Sequence, residues 1–393
     1  MDTKFKETKI GLIPEEWEVK HVKDTANLGR GRVISHNDIA KNPGPYPVYS
    51  SQSKGEGSIG SLDTYDFEGE YITWTTDGAY AGSVFYRNGR FNCTNVCGTI
   101  QLKVHDTDYQ FLSYFLKRVA KKYVTYNGNP KLMNNEFARI LVAIPPLPEQ
   151  HKIADILSTV DEAIDETDAI IQQTQQLKKG LMQKLFTEGI GHTKFKETKI
   201  GQIPNDWREQ ELAGIINITN GFPAESIYFN KENIGIPLIR IRDIPGQLTE
   251  VHYNGEFPQE YIVKKGDLLV TMDGKFLATK WRGDDALLNQ RVCKVGTKSP
   301  NILNQEYLFY YINIPLRKIE QRTGATTVKH LSTKDINRIR VALPTLPEQR
   351  KIAEILSKVD TKIETEQAYK TELEQLKQGL MQVLLTGRVR VKV

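Results

Sequence analysis

The chain is poor in cysteine, with three in 393 residues: Cys93, Cys97 and Cys293. A disulfide framework needs several pairs, and a zinc site needs two pairs of ligands or a nearby histidine. A single Cys-x3-Cys supplies neither, so reduced thiols packed inside strands are expected. Long apolar runs are also missing. No stretch approaches the eighteen or so residues of a membrane span. Met1-Asp2-Thr3-Lys4 lacks the apolar core of a signal peptide, which points to a cytoplasmic protein with no membrane partner. There is no P-loop Gly-Lys-Ser/Thr, and no Gly-rich cofactor fingerprint joining a strand to a helix. Hydrophobic content of 39% and charged content of 26% suit a globular chain of two or three domains.

What the chain does contain, it contains twice. Thr3-Lys4-Phe5-Lys6-Glu7-Thr8-Lys9-Ile10-Gly11 recurs letter for letter as Thr193 to Gly201. Each copy continues to Ile-Pro-x-x-Trp, with Ile13, Pro14 and Trp17 in the first and Ile203, Pro204 and Trp207 in the second. Leu147-Pro148-Glu149-Gln150 and Leu346-Pro347-Glu348-Gln349 form a second repeated motif. A repeat on this scale fixes architecture before single residues are read. It implies a molecule with two similar ends, suited to a partner that also has two.

Each Leu-Pro-Glu-Gln opens a long helix, expected over 148–187 and 347–386. Ile153, Leu157, Val160, Ile164 and Ile171 follow a 3–4 spacing in the first, with Leu177, Leu181 and Leu185 continuing after a phase shift. Ile352, Leu356, Val359, Ile363, Leu373, Leu380 and Leu384 do the same in the second. Proline in the first turn and glutamate beside it suit a helix start, while Gly189 and Gly387 suit the ends. Forty residues make a rod of roughly 60 Å. One narrow apolar stripe on so long a rod needs a partner helix, as in a coiled coil. Antiparallel pairing of the two helices would bring Ile153 and Val160 near Leu384 and Leu380, and Val359 near Leu185 or Leu181. The expected fold is therefore α/β (mixed α+β), with two similar recognition domains joined by two long antiparallel coiled-coil helices in a pseudo-two-fold arrangement.

The remainder, about 12–147 and 202–346, forms two related modules. Thr75-Thr76-Asp77-Gly78 matches Thr271-Met272-Asp273-Gly274, and Val96-Cys97, Leu112 and Tyr114 match Val292-Cys293, Leu308 and Tyr310 at the same offset. Strands such as 71–74 and 268–271 are expected between turn signals at Asp77-Gly78 and Asn88-Gly89, and helices near 108–122 and 304–321. The helical stretches carry −3 and −1 of a net +5, which leaves +9 on the modules. A basic excess of this kind favours a polyanion. The polar residues between the matched anchors diverge. They include Arg30, Arg32, Gln52, Lys54, Asn95, Asn129 and Lys131 in the first module. In the second they include Lys275, Lys280, Arg282, Gln290, Arg291, Lys329 and His330. Arg, Asn and Gln read base edges, whereas Lys and Gly-rich backbone hold phosphates. Gln290 and Arg291 are expected at base edges, with Asn95 equivalent to Arg291. Lys275, Lys280, Arg282 and Lys329 are expected nearer phosphates.

Order and duplication of these motifs give the chain a specific resemblance. The duplicated Lys-Ile-Gly-x-Ile-Pro-x-x-Trp, Leu-Pro-Glu-Gln-x-Lys-Ile-Ala and Leu-Lys-x-Gly-Leu-Met-Gln segments resemble the specificity subunits of type I DNA restriction-modification systems over essentially the whole length. The resemblance implies two target recognition domains, 1–147 and 189–346, and two helical spacers, 148–188 and 347–393. It implies a split double-stranded DNA site, two methylase subunits docked on the helices, and restriction subunits that join them. S-adenosylmethionine, ATP and Mg are then expected only on those partners, and the chain itself is expected to be non-catalytic with no metal or cofactor. Around Gly180 and Gly379, Leu181, Met182, Leu380 and Met381 offer apolar surface for a partner or for closure of the coiled coil itself. Asn42-Pro43-Gly44-Pro45-Tyr46 departs from the Asn/Asp-Pro-Pro-Tyr/Phe loop of adenine methylases by an inserted glycine. Asp267 with Asp273-Gly274-Lys275 is too tightly spaced for a nuclease metal site. A stand-alone methylase or nuclease, and a duplicated coiled-coil adaptor for proteins, are the competing readings.

Overall fold

The computed structural model describes residues 4–51, 54–323 and 329–392. Two units emerge, one of Met1–Ala169 with Gln367–Val393, the other of Ile170–Glu366. Both long helices are present, Leu147–Thr187 and Leu346–Leu384, and each contributes one half to each unit.

In the first unit a six-stranded sheet runs in the order Ala26–Arg30, Cys97–Leu102, Phe67–Thr75, Val84–Cys93, Tyr46–Tyr49, Ser58–Leu62. Pairing is antiparallel except between Tyr46–Tyr49 and Val84–Cys93. Asn88-Gly89 is not a turn: both residues lie inside Val84–Cys93, paired with Glu70 and Gly69 across a long hairpin. Helix Tyr109–Val119 packs against this sheet, its first turn capped by the Asp108 side chain.

The second unit repeats the plan with one break. Strands Ile216–Asn220, Val292–Thr297, Leu268–Thr271 and Ala278–Lys280 form a four-stranded sheet. The counterpart of Val84–Cys93 is interrupted here. Its second half, Ala286–Leu288, joins a separate sheet and pairs in parallel with Ile236–Ile239, as Val84–Cys93 does with Tyr46–Tyr49. Helix Gln305–Arg322 corresponds to Tyr109–Val119 and is capped by Asn304.

The repeated motifs meet inside each unit. Trp17 is fully buried and its indole donates to Glu149 at 3.1 Å, and Trp207 donates to Glu348 at 3.1 Å. Each glutamate takes a second partner from the segment after a long helix. Arg390 donates to Glu149 at 2.7 and 2.9 Å, and His192 lies 2.9 Å from Glu348. These segments leave the helices at Gly189 and Gly387, both with φ near the left-handed value (68° and 67°). Gln150 and Gln349 are entirely buried. Gln150 bonds Asp106 O, Pro145 O and Asp108 N, and Gln349 bonds Ile302 O, Pro344 O and Asn304 N.

The helix halves run antiparallel within each unit. In the first, Ile153 and Leu157 share a core with Leu384 and Leu385, with Leu380 and Met381 packed against it. Lys377 pairs with Asp161 and Lys370 with Asp168, so positions rise along one helix as they fall along the other. In the second, Leu185 and Phe186 share a core with Ile352 and Leu356, and Lys178 pairs with Asp360. The tyrosines matched in sequence join these pairs. Tyr114 donates to Asp161 at 2.7 Å and Tyr310 to Asp360 at 2.9 Å, with Lys377 and Lys178 over the respective rings. Burial and the adjoining carboxylate push both phenols well above their ordinary pKa.

The seam differs from expectation at Leu177, which is 56% exposed. At about 100° per residue, six residues carry it roughly 120° away from Ile171. The seam position falls on Lys178, which the Asp360 pair accommodates.

Candidate nucleic-acid interface

Each unit presents a short turn leading into the strand next to its edge strand. In the first, Thr94 to Val96 connect Val84–Cys93 to Cys97–Leu102. In the second, Asn289 to Arg291 lead from Ala286–Leu288 to Val292–Thr297. Asn95, Gln290 and Arg291 are therefore exposed turn residues rather than strand residues.

The register corrects one sequence equivalence. Thr75 faces Cys97 and Thr271 faces Val292 across the matching strands. Thr76 N donates to Val96 O at 2.9 Å, and Met272 N to Arg291 O at 3.0 Å. Cys97 thus corresponds to Val292, Val96 to Arg291, and Asn95 to Gln290. The repeated Val-Cys letters misaligned this stretch by one residue because both strands place small apolar side chains inward on either register. The turn is closely packed in both units. A Cβ on Gly31 would meet Cys93 O at 2.2 Å, and one on Gly221 would meet Asn289 O at 1.9 Å.

A carboxylate stands beside each turn. Arg30 donates to Asp77 at 3.1 Å and through Nε to Asn95 O at 2.6 Å, while Thr76 donates to Asp77 at 2.7 Å. In the second unit Arg291 pairs with Asp273 at 3.0 Å, and His330 Nδ1 lies 2.7 Å from the same carboxylate. Asp77 is bridged through its backbone to Lys131, and Asp273 to His330. Lys131 and Asn129 are exposed beside Asp77, and Lys275 is exposed two residues after Asp273. Arg30, Asn95 and Lys131 therefore gather at one turn and Gln290, Arg291 and His330 at its counterpart, with Asn129 and Lys275 exposed two residues from Lys131 and Asp273 along the chain.

Other expected residues have side chains engaged with protein groups. Arg32 is held by Asp66 at 2.8 Å. Lys280 pairs with Glu306 and stands over the Phe309 ring, while Arg282 pairs with Glu364 on the second long helix at 2.5 Å. Lys329 donates to Glu320 O at 2.6 Å. Gln52 and the side chain of Lys54 lie outside the described residues, as does 324–328. Leu181 and Met182 are half-buried against the core of the second unit, and Leu380 and Met381 against that of the first.

The sequence reading passed over two tyrosines. The turn 78–83 is two residues longer than its counterpart 274–277 and carries Tyr80, 47% exposed. Tyr126, 69% exposed, follows Thr125, which is bridged to Lys131. A length difference between matched turns was the available signal for Tyr80. Asp267, whose spacing to Asp273 is too tight for a nuclease metal site, sits 3.5 Å from Lys294. Among the described residues no group of three or more His, Cys, Asp or Glu could hold a metal. Among the described residues no helix is long and apolar enough to cross a membrane.

Comparison with known proteins places this geometry. The chain is 29% identical over 99% of its length to the type I restriction enzyme MjaVIII specificity subunit of Methanocaldococcus jannaschii, covering 96% of that protein. A type I specificity subunit segment, S.MpnORF289P N-terminus, of Mycoplasma pneumoniae is 49% identical over 35% of the chain and 74% of its own length. The crystal structure of a type I restriction-modification S subunit from M. genitalium shares the fold, with a TM-score of 0.66 at 17% identity over 98% of this chain and 99% of that one. The family model for the type I restriction modification DNA specificity domain matches twice, at residues 14–176 and 204–375, one match to each repeat, and the chain belongs to that family.

Proposed function

We propose that the chain is the non-catalytic DNA-reading subunit of a cytoplasmic restriction-modification complex. Each unit binds one half of a split, asymmetric double-stranded site, with 1–147 and 189–346 as recognition domains and 148–188 and 347–393 as helical spacers. The observation that carries this is the paired turn. Both units surround the same backbone position with exposed Arg, Lys, Asn, Gln or His side chains, yet the residues differ. A common frame with different fork-shaped donors suits two different half-sites, because Arg, Asn and Gln discriminate bases by bidentate bonds. Exposed Tyr80 and Tyr126 add hydroxyl groups that can meet the sugar-phosphate backbone in the first unit. Lys280, Arg282 and Lys329, engaged with protein groups, contribute to phosphate contact only if DNA displaces those partners.

Methylase subunits dock on the long helices in this reading, and restriction subunits join the assembled complex. S-adenosylmethionine, ATP and Mg belong to those subunits. The second unit carries a groove of about 600 Å³ lined by Met182, Phe186, Ile200, Tyr311, Ile314 and Lys179. A Cβ on Gly180 or Gly379 would meet nothing within 4 Å, which leaves backbone accessible on both Gly-Leu-Met-Gln segments. Apolar floor and basic rim suit an acidic amphipathic segment of a methylase subunit.

The test is methylation mapping in a host that carries this chain with its methylase subunit. A single bipartite adenine motif is expected, and Arg291→Ala should relax one base of one half only. Methylation without a fixed motif, or a purified complex that retains no duplex at low salt, would overturn the reading. A Met182→Glu, Met381→Glu variant that folds yet assembles with undiminished affinity would remove the docking surface alone.

A further inference from the structure

We infer that Asp77 and Asp273 are positioning residues for specificity: each holds the guanidinium that its unit presents to DNA. The inference rests on the DNA-reading role proposed above. A carboxylate at the centre of a polyanion-binding surface is electrostatically unfavourable, so its presence in both units needs a compensating role. Its placement is the same in both. Asp77 and Asp273 follow strands ending at Thr75 and Thr271. The next residue along, Gly78 or Gly274, donates to Pro130 O or Lys329 O at 2.9 Å, and the preceding one, Thr76 or Met272, accepts from Leu132 N or Leu331 N.

What differs is the source of the arginine. Arg30 is the last residue of Ala26–Arg30, and the matching strand Ile216–Asn220 ends in Asn220. Arg291 occupies the turn position held by Val96 in the first unit. The arginine has changed places, yet in each unit a guanidinium reaches the repeated carboxylate, at 3.1 and 3.0 Å. The two aspartates are the less exposed partners, at 22% and 19% against 37% and 58% for the arginines. A half-covered acid beneath a more exposed base is the arrangement that fixes a fork and leaves its remaining donors outward. In the first unit Nε is also fixed by Asn95 O, so the Nη1 edge is left for another partner. Ordering the fork before binding reduces the side-chain entropy lost on contact with a base. It also sets the direction from which the remaining N–H donors meet a base edge.

The experiment uses the chain assembled with its methylase subunit. Asp273→Asn and Asp77→Asn keep shape and remove charge. Asp273→Asn should lower discrimination at one base of one half-site by about tenfold to a hundredfold and leave the other half-site and the melting temperature unchanged. Arg291→Ala should affect the same base, and the double variant should add little, because the two act as one unit. Asp77→Asn should do the same at the other half-site, paired with Arg30→Ala. Arg30→Asn with Val96→Arg, which moves the guanidinium to the position used by the second unit, should restore discrimination through Asp77. Intact discrimination in both aspartate variants, with Arg291→Ala and Arg30→Ala still relaxing the motif, would overturn the inference and leave the DNA reading standing. Uniform weakening on every sequence would also overturn it. Failure of the unaltered complex to bind any duplex would instead remove the DNA reading.

Discussion

Replacing Gln349 with leucine tests whether the repeated Leu-Pro-Glu-Gln motif anchors the helix to its module. The side chain is wholly buried and makes three bonds, at 2.8 Å to Asn304 N and at 2.9 Å to Ile302 O and Pro344 O. Leucine keeps the volume and orphans all three backbone groups. An unsatisfied buried group costs about 1–3 kcal/mol. The Pro344 bond is buried and sits at the upper end, and the other two are partly accessible and sit at the lower. The sum is about 3–5 kcal/mol, a large share of the roughly 5–15 kcal/mol that holds a typical domain. Gln349→Glu should be worse, since a carboxylate oxygen would face two carbonyls. With a denaturant slope of about 2–3 kcal/mol/M, the urea midpoint of the second unit should fall by about 1–2 M. The units need not unfold together, so hydrogen exchange should be followed separately in peptides around Asn304 and around Asp108. Loss of protection confined to the former is expected. A midpoint within about 0.3 M of the parent would show that the glutamine is not an anchor.

Tyr310→Phe should cost about 1 kcal/mol, and the cost should grow when Lys178→Met also strips Asp360 of its cation; additive losses in chemical denaturation would deny that the three groups form one network. Burial raises Cys97 to about 11 and Cys293 to about 12, from an ordinary 9.0. The folded values lie above the unfolded ones, so this contribution to stability is complete below pH 9 and is lost as pH rises through about 11 to 12. Iodoacetamide should therefore leave the native thiols unmodified at pH 8 and label them in urea, and rapid native labelling would contradict their burial. Tyr80→Ala and Tyr126→Ala should each weaken duplex binding by about fivefold without altering its salt slope, read by titration across salt concentrations, because a neutral hydroxyl meets the sugar-phosphate backbone without displacing a counterion; a changed slope or unchanged affinity would deny that contact.

The architecture was legible because periodicity and duplication are local signals. Both long helices fall within two residues of their expected ends, and Tyr114 and Tyr310, noted only as matching letters, prove to be equivalent donors to Asp161 and Asp360. Two kinds of error had physical causes. Leu177 was assigned by spacing alone, and the seam tolerates Lys178 because Asp360 lies opposite, a cross-helix fact that one helix cannot reveal. Asn88-Gly89 carries a strong turn signature, but Glu70 and Gly69 on the neighbouring strand pair with it. The candidate interface was legible in composition and not in detail. Lys280, Arg282, Arg30 and Arg291 all pair with a carboxylate, and what separates them is a tertiary fact: Asp77 and Asp273 lie beside the turns, whereas Glu306 and Glu364 lie on helices.

The repeats differ in a way that packing chemistry explains. Apolar cores accept exchanges of similar volume at little cost, so the two cores share few letters beyond the anchors. Buried hydrogen-bonding groups accept no such exchange, because a missing partner leaves a desolvated donor or acceptor. The buried polar letters that recur, Trp17 with Trp207, Glu149 with Glu348, Gln150 with Gln349, together with the half-buried hydroxyls of Tyr114 and Tyr310, are those whose polar atoms meet inside each unit. Even there, only the demanded chemistry is kept: Arg390 and His192 differ in type while serving the same glutamate position. The exposed turns of the candidate interface are under no such demand, and most of their residues have diverged. Asp77 and Asp273 are kept there together with the glycine that follows each. In both units the kept carboxylate meets a guanidinium, at 3.1 and 3.0 Å, and that guanidinium is drawn from a different place in the sheet.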